Sequence, residues 1–561
     1  MAKFPPGDYC EKSQFPPRPV CIQDHAILSF AAEALMLPRS LRHTRHGLLS
    51  LVSALGLLSG CAVGPDFVKP TAPADSGYAP TALPKATSSL PVPGGAQQDL
   101  VEGKDIRFDW WKEFGSPALD HLVEQALRNN PTITVALASL RQAQEMVYAQ
   151  QAGFLPTIGA DYNFQRQQVA GNLSSADPGP QGNGQNIQPS GPAAPTIFNM
   201  HTAQLQVSYS PDVLGANRRQ VEALDAQAES QRYLLQAAYV TLINNVVATA
   251  IQEAGIRDQI AATKALIADN VKMVEILRAQ YKLGFAMAID LATAEQALAA
   301  AEQTLPPLTK QLDQTRDMMR ALLGNLPNQE VEEIPSLAAL HLPTQLPLSL
   351  PSKIIEQRPD VRAAEEAVRS ANAQVGVAIA ARLPQFALSG SFGGAATQFD
   401  QMFAGGGPFW TIIGDIAMPI FDGNALLHKE RAADQALIQA NEQYRGTVIA
   451  AYQNVADSLH AITADADALK AAGKAEGQAK VILDVTRRQN QLGYVDWLTL
   501  YGADVAYQQA LLGLVQAQAA RYGDTAALYQ ALGGGWWNRA NAVADNTSGD
   551  FVLDWTKILT P

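Results

Sequence analysis

Cysteine is scarce: Cys10, Cys21 and Cys61 are the whole supply in 561 residues. Three thiols exclude a disulfide scaffold or a cysteine-built zinc site. Basic residues are outnumbered, 41 Lys and Arg against 53 Asp and Glu. The resulting net charge of −12 argues against a nucleic-acid binder, which carries a basic stripe. The eight histidines, from His25 to His460, are scattered without metal-ligand spacing. Neither a Walker A phosphate loop nor a nucleophile elbow occurs. Gly405-Gly406-Gly407 and Gly533-Gly534-Gly535 read as turns, and Glu332-Glu333 and Glu365-Glu366 as solvated faces without a glycosidase cleft. An enzyme is therefore the weaker reading, and no metal or cofactor is implied. What remains is 47% hydrophobic, rich in Ala and Gln, which points to long polar-faced helices rather than general disorder. Length alone gives a soft prior of three or four domains, which repeated helices can override.

The N-terminus carries a sorting signal. Leu48 to Gly60 is a 13-residue apolar or small run behind Arg39, Arg42 and Arg45. It is too short to span a bilayer as a helix and has the positive flank of a secretory signal. It ends in Leu58-Ser59-Gly60-Cys61, which resembles a bacterial lipobox, so Cys61 is the expected lipidation site. Met36 opens a signal of ordinary length, and the Pro-rich residues before it, with four acidic side chains, read as an over-extended start. Removal of residues 1–60 takes away six basic and four acidic residues, leaving a net of −14 and Cys61 as the sole thiol. Ala62 follows, where Asp would favour inner-membrane retention, so the expected address is the outer membrane, with lipid as anchor.

The chain repeats itself once. Pro131, Pro156 and Phe164 recur 228 residues later as Pro359, Pro384 and Phe392. Pro211 and Gly215 recur after 208 residues, and Leu283-Gly284 and Leu323-Gly324 after 209. One structural unit used twice explains this, with about 20 extra residues in the first copy.

Each copy reads as helix, strand, strand, helix, helix. Ile158, Ala160, Tyr162 and Phe164 alternate with Gly159, Asp161, Asn163 and Gln165; Leu205, Val207 and Tyr209 alternate with Gln204, Gln206 and Ser208. Phe386, Leu388 and Phe392 alternate with Ala387, Ser389 and Ser391, and Trp410, Ile412, Ile416 and Met418 share a face. Period-two patterning suits a membrane barrel with a wet lumen, and equally a half-buried soluble sheet. Residues 171–195, rich in Gly, Pro, Ser and Asn, form a long loop suited to the extracellular side. Four strands cannot close a barrel, whose smallest natural form has about eight, so other copies must complete it.

Ala216 to Leu283 and Asn424 to Leu492 contain no proline, and helices of that length reach about 100 Å. The shorter helices of each copy, 22 and 39 residues, together nearly match one long helix. A bundle of continuous and spliced helices follows, with Pro306-Pro307 expected to interrupt the first copy's shorter helix. Alanine-rich runs such as Ala294 to Ala301 let backbones approach closely, although helix propensity alone also accounts for them.

The mature start Cys61-Ala62-Val63-Gly64-Pro65-Asp66-Phe67-Val68-Lys69-Pro70, the segment Trp110-Trp111-Lys112-Glu113-Phe114 and the ending Leu528 to Trp536 complete the pattern. With the duplicated Leu-Pro strand entries, the sequence resembles the bacterial outer membrane factors, the TolC-like proteins, in their lipidated OprM and NodT-type branch. The resemblance covers nearly all of 61–536. It implies a mainly α fold with a transmembrane β-barrel, 12-stranded in a homotrimer, continued by a long periplasmic α-helical barrel. It also implies partners: a periplasmic adaptor (membrane fusion protein) and an inner-membrane pump, usually of the resistance-nodulation-division type. The expected division is 36–60 signal peptide, 61–109 lipid-anchored linker, 110–324 first repeat, 325–357 inter-repeat linker, 358–536 second repeat and 537–561 extension, behind the doubtful 1–35. The rival from another class is a periplasmic lipoprotein with a coiled-coil stalk and no pore.

The helix-turn tips fall at Gly284 and Gly493. In the OprM-type pattern a Leu and, four residues later, an Asp narrow the aperture after the second turn. Leu498 matches the Leu, while Gly502 stands in the place of the Asp. Asp496 is a candidate to supply charge instead, or is a solvated turn residue. Asp290 matches the Asp of the family's turn-following Leu-Asp pair, with Ile289 replacing Leu, and is either a latch for the closed state or a helix N-terminal charge.

Overall fold

A computed structural model describes residues 62–71, 77–79, 84–169, 196–331, 334–349 and 351–539. The expected signal, Cys61, the loop at 171–195, Glu332-Glu333 and nearly all of the extension at 537–561 lie outside the described residues.

Ahead of the first copy stand β1 (Asp99–Glu102) and α1 (Pro117–Asn129). The copy itself runs α2 (Pro131–Gln151), β2 (Thr157–Val169), β3 (Thr196–Tyr209), α3 (Ala216–Lys282) and α4 (Ala288–Leu322). After β4 (Gln345–Leu348) and α5 (Pro351–Gln357), the order repeats as α6 (Pro359–Ala380), β5 (Gln385–Ala396), β6 (Pro408–Ala417), α7 (Ala425–Gln491) and α8 (Trp497–Ala531). The duplication read from the spacing is thus a duplication of elements. The two long helices have 67 residues each and the two helices after them 35 each.

The short helices are spliced end to end by the same device in both copies. Asn130 caps α2 by accepting from the Thr132 N–H at 2.8 Å, while its amide donates to the last carbonyls of α4 at Leu322, 2.8 Å away. Arg358, at the corresponding position before α6, donates to the Ala531 carbonyl at the end of α8 at 2.9 Å. Each bond satisfies a C-terminal carbonyl that the helix itself leaves without a partner. The α2–α4 and α6–α8 stacks therefore lie alongside α3 and α7.

Pro306 and Pro307 do not interrupt α4, contrary to expectation: the helix is continuous through both. They remove the donors that would reach the carbonyls of Glu302 and Gln303, but these residues are exposed, so water can take that role. On either side of the pair, Leu305 and Leu308 pack against Ile256 and Ile260 of α3, which holds the helix on its track. Glu365-Glu366 is likewise not a solvated face, because both residues are buried in α6. Glu365 meets Arg362 at 2.7 Å and Lys69 at 3.4 Å, so its burial is that of a paired charge.

The main core sits at mid-height, where α1, the 3-10 turn Trp110–Phe114, α3 and the end of α8 meet. Trp110 stacks on Tyr529 with centroids 4.8 Å apart, and the Tyr529 hydroxyl donates to Glu113 at 2.8 Å. This explains the Trp110-Trp111-Lys112-Glu113-Phe114 segment as a staple between linker and bundle. Here β1 also pairs in parallel with β4, tying the linker to the segment between the copies.

Candidate conduit and its tip

The four long strands form one sheet in the order β2-β3-β5-β6, every neighbour antiparallel. Register decides which side chains share a face. Ile158 lies opposite Val207, Val207 opposite Gly390, and Gly390 opposite Ile412. One row on, Ala160, Leu205, Phe392 and Trp410 are aligned, and Phe386 faces Ile416 at the helix-proximal end. Most of the large apolar side chains of the four strands therefore fall on one face. The other face carries Asp161, Asn163, Gln204, Gln206, Ser389, Ser391, Thr411 and Asp415, interrupted by Phe198 and Met200 toward the far end and by Phe409 and Ile413 on β6. Beyond the Phe399 ring, which meets Tyr162 and His201 near the far end, much of the described apolar face is uncovered: Trp410 and Ile412 are 72% and 71% exposed. An area of this size left uncovered marks a surface that meets another apolar phase. Met418 falls just past the end of β6.

At the far end of α3 and α7, about 100 Å away along helices of 67 residues, the chain reverses. Gly284 and Gly493 take the left-handed conformation, at φ 81° and 79°. In each turn two bonds close the helix: Phe285 to Gln280 and Gly284 to Tyr281 in the first, Tyr494 to Gln489 and Gly493 to Asn490 in the second. This is the six-to-one and five-to-two pairing of a Schellman end, which a Cβ at either glycine would strain.

The carboxylates expected at the tip serve as helix caps. Asp290 accepts from the Met287 backbone N–H at 3.2 Å. Asp496 caps α8, accepting from the Thr499 N–H at 2.8 Å and the Thr499 hydroxyl at 2.5 Å. These two donors hold its carboxyl below the usual carboxylate range. Leu498 is 41% exposed, and at Gly502, one turn on, a Cβ would meet nothing within 4 Å. The Leu498–Gly502 side of α8 is thus open within the chain.

Two features at the tip carried no signal in the sequence reading. Trp497 and Tyr501 bracket Leu498 and pack on Met273, Val274, Leu277 and Ala294 of the first hairpin, locking the two hairpins together. Their four-residue spacing is the available clue, because it places both on one helix face. Asp504 is 7% exposed and lines a cavity of about 330 Å³ with Asp269, Lys272 and Arg487. Burial, and then the charge of Asp269, pushes its carboxyl up.

At the other end of the helices, Arg219 grips residues 63–66. Its guanidinium, buried in the chain, donates to the carbonyls of Val63 and Gly64 and to Asp66 at 3.1, 3.3 and 2.8 Å. The Val63 N–H in turn donates to Leu214, just before α3 and five residues past β3.

Comparison with known proteins agrees with this geometry. The pyoverdine export outer membrane protein OpmQ of Pseudomonas putida is 28% identical over 80% of this chain and 93% of its own length. The toluene efflux pump outer membrane protein TtgC of P. putida is 27% identical over 89% of this chain and 98% of its own. Among solved structures, the Campylobacter jejuni CmeC outer membrane channel superposes with a TM-score of 0.74 at 20% identity, covering 87% of this chain and 98% of that one. The outer membrane efflux protein family profile matches residues 122–325 and 350–534, well over half of the chain. By that match the chain belongs to the outer membrane efflux protein family, and it is an efflux component of the outer membrane.

Proposed function

We propose that three copies of this chain close one twelve-stranded barrel and one helical tunnel, a passive conduit from the periplasm to the exterior. The observation that carries this reading is the sheet: one mainly apolar face, one mainly polar face and two open edges, β2 and β6. Three antiparallel pairings make β2 and β6 run in opposite directions, so β6 of one copy can pair antiparallel with β2 of the next. Closure removes both edges and turns the apolar face to lipid and the polar face to water. A stalk without a pore leaves this face unexplained.

Within an efflux assembly the conduit takes cargo from an inner-membrane pump of the resistance-nodulation-division type through a periplasmic adaptor. Lipid on Cys61 anchors each copy, and the Arg219 clamp on Val63 and Gly64 supports this by fixing the neighbouring residues near the start of α3. The tip is the resting constriction. There Leu498 is the narrowing residue, Asp496 acts by holding the turn that carries it, and Asp290 by holding the turn of the first hairpin. The proposed repeats, 110–324 and 358–536, are the two halves that each copy contributes to the wall.

The deciding experiment is the native mass of detergent-extracted protein from separated inner and outer membranes. A lipidated trimer in the outer-membrane fraction supports the conduit; a monomer or a soluble periplasmic species overturns it. For the gate, Leu498→Ala is expected to raise resting conductance and antibiotic leak several-fold without changing the amount of trimer. Unchanged conductance removes Leu498 from the constriction.

A further inference from the structure

The long strands hold few ionisable side chains, and register sorts them by sign. Asp161 lies opposite Gln204, which lies opposite Gly393, all on the polar face. Asp415 lies opposite Ala387, on that same face and near the helix-proximal end of β6. The two basic side chains of these strands go the other way: His201 is aligned with Phe164, and Arg166 with Asn199, on the apolar face toward the far end. Among the described strand residues, the polar face thus carries two carboxylates and no basic group. At the tip, meanwhile, the position one turn after Leu498 is Gly502, which holds no charge.

We propose that the barrel lumen is the charge filter of this conduit, with Asp161 and Asp415 as the specificity-determining residues that favour cationic over anionic solutes. The proposal rests on the shared-barrel reading above, which makes the polar face the lumen. Three copies would then place six carboxylates in two rings, separated by six residues, or about 20 Å, along the strands.

The length scales decide whether such rings can act on a passing solute. Twelve strands spaced about 4.8 Å apart and tilted about 40° give a backbone radius of about 12 Å. Aspartate side chains reach inward from there, to within about 10 Å of the axis. The Debye length is about 10 Å at 0.1 M salt and about 3 Å at 1 M. At low salt the field of each ring therefore reaches the axis, and at high salt it is confined to the wall. With no basic group on the same face, nothing within the described sheet offsets it. A filter of this kind discriminates by charge sign rather than shape, and suits a conduit whose cargo is selected elsewhere.

The test uses the full trimer in planar bilayers, reading the reversal potential under a KCl gradient at low and high mean salt. Recordings are made in the wild type and again in Leu498→Ala, so that a tight tip does not mask the barrel. The expected wild-type cation-over-anion permeability ratio is about threefold or more near 0.1 M, falling toward one near 1 M. The double variant Asp161→Asn with Asp415→Asn is expected near one at both. Should the double variant not assemble, each single Asn variant is expected to lower the low-salt ratio partway. A wild type without cation preference, or Asn variants that keep the wild-type ratio, overturns the filter while leaving the conduit intact. Trimers that carry no current in either background, or the absence of trimers, overturn the conduit reading itself and the filter with it.

Discussion

At the scale of single residues, the tip shows how a charge can matter through backbone geometry rather than through its field. Asp496 is exposed, yet its two bonds to Thr499 start α8 and so set the direction in which Leu498 leaves the turn. An N-cap of this kind is worth about 1 kcal/mol, and Asn replaces Asp there with little loss. Asp496→Asn is therefore expected to leave resting leak unchanged, whereas Asp496→Ala raises it. If both variants raise the leak equally, the charge and not the cap is what the tip uses; if neither raises it, Asp496 does not set the tip. The pH dependence has a definite sign. The folded-state carboxyl sits below its ordinary value, so its contribution is present above about pH 4 and is lost only as acid protonates the cap. The place of Leu498 just after the second turn was legible, but the capping bonds of Asp290 and Asp496 were not. Asp504 could not be found in the sequence at all, because nothing along a helix of mixed Ala and Gln says which carboxylate is turned inward.

At the scale of elements, helix ends were legible where Gly or Pro punctuates them, and invisible where long-range pairing makes the element. The four long strands, the two long helices and their tips follow from alternation, proline-free runs and the Leu-Gly pairs. β1 and β4 have four residues each and pair across the first repeat, with no local pattern strong enough to mark them. α4 is the converse case, since two prolines predict a break that packing on α3 overrides. The α7–α8 contact contains a further feature that only packing reveals. Asp465 of α7 is pushed up to about 7, chiefly by burial and then by the hydrogen bond and charge of Asp524, against the pull of Arg521. A carboxyl whose folded value lies above its unfolded one binds protons more readily in the folded chain. Its stabilising contribution is complete below about pH 4 and is lost as the pH rises to about 7. Asp465→Asn should accordingly raise the thermal midpoint of the detergent-solubilised protein at pH 8 and leave it nearly unchanged at pH 4. A lower midpoint at pH 8 would instead mean that Asp465 earns its place as the partner of Arg521.

At the scale of the whole molecule, the two faces of the sheet make opposite demands on the same substitution. Ile412 and Thr411 are neighbours on β6, and the pleat turns them to opposite faces. Ile412 is aligned with Ile158 and Val207 on the apolar face, whereas Thr411 is aligned with Ser391 and Gln206 on the polar one. An arginine facing lipid near the bilayer midplane costs about 2–4 kcal/mol, so three copies would lose about 6–12 kcal/mol per trimer. The same side chain facing a wet lumen keeps its hydration and costs little. Ile412→Arg is therefore expected to abolish the heat-resistant trimer in the outer-membrane fraction, while Thr411→Arg preserves it and shifts the conducted ions toward anions. A half-buried sheet in a soluble domain predicts a different pair of outcomes, because there the apolar face meets protein and both variants stay with the soluble fraction. Equal behaviour of the two variants in the membrane fraction would remove the assignment of faces on which both the barrel and its filter depend.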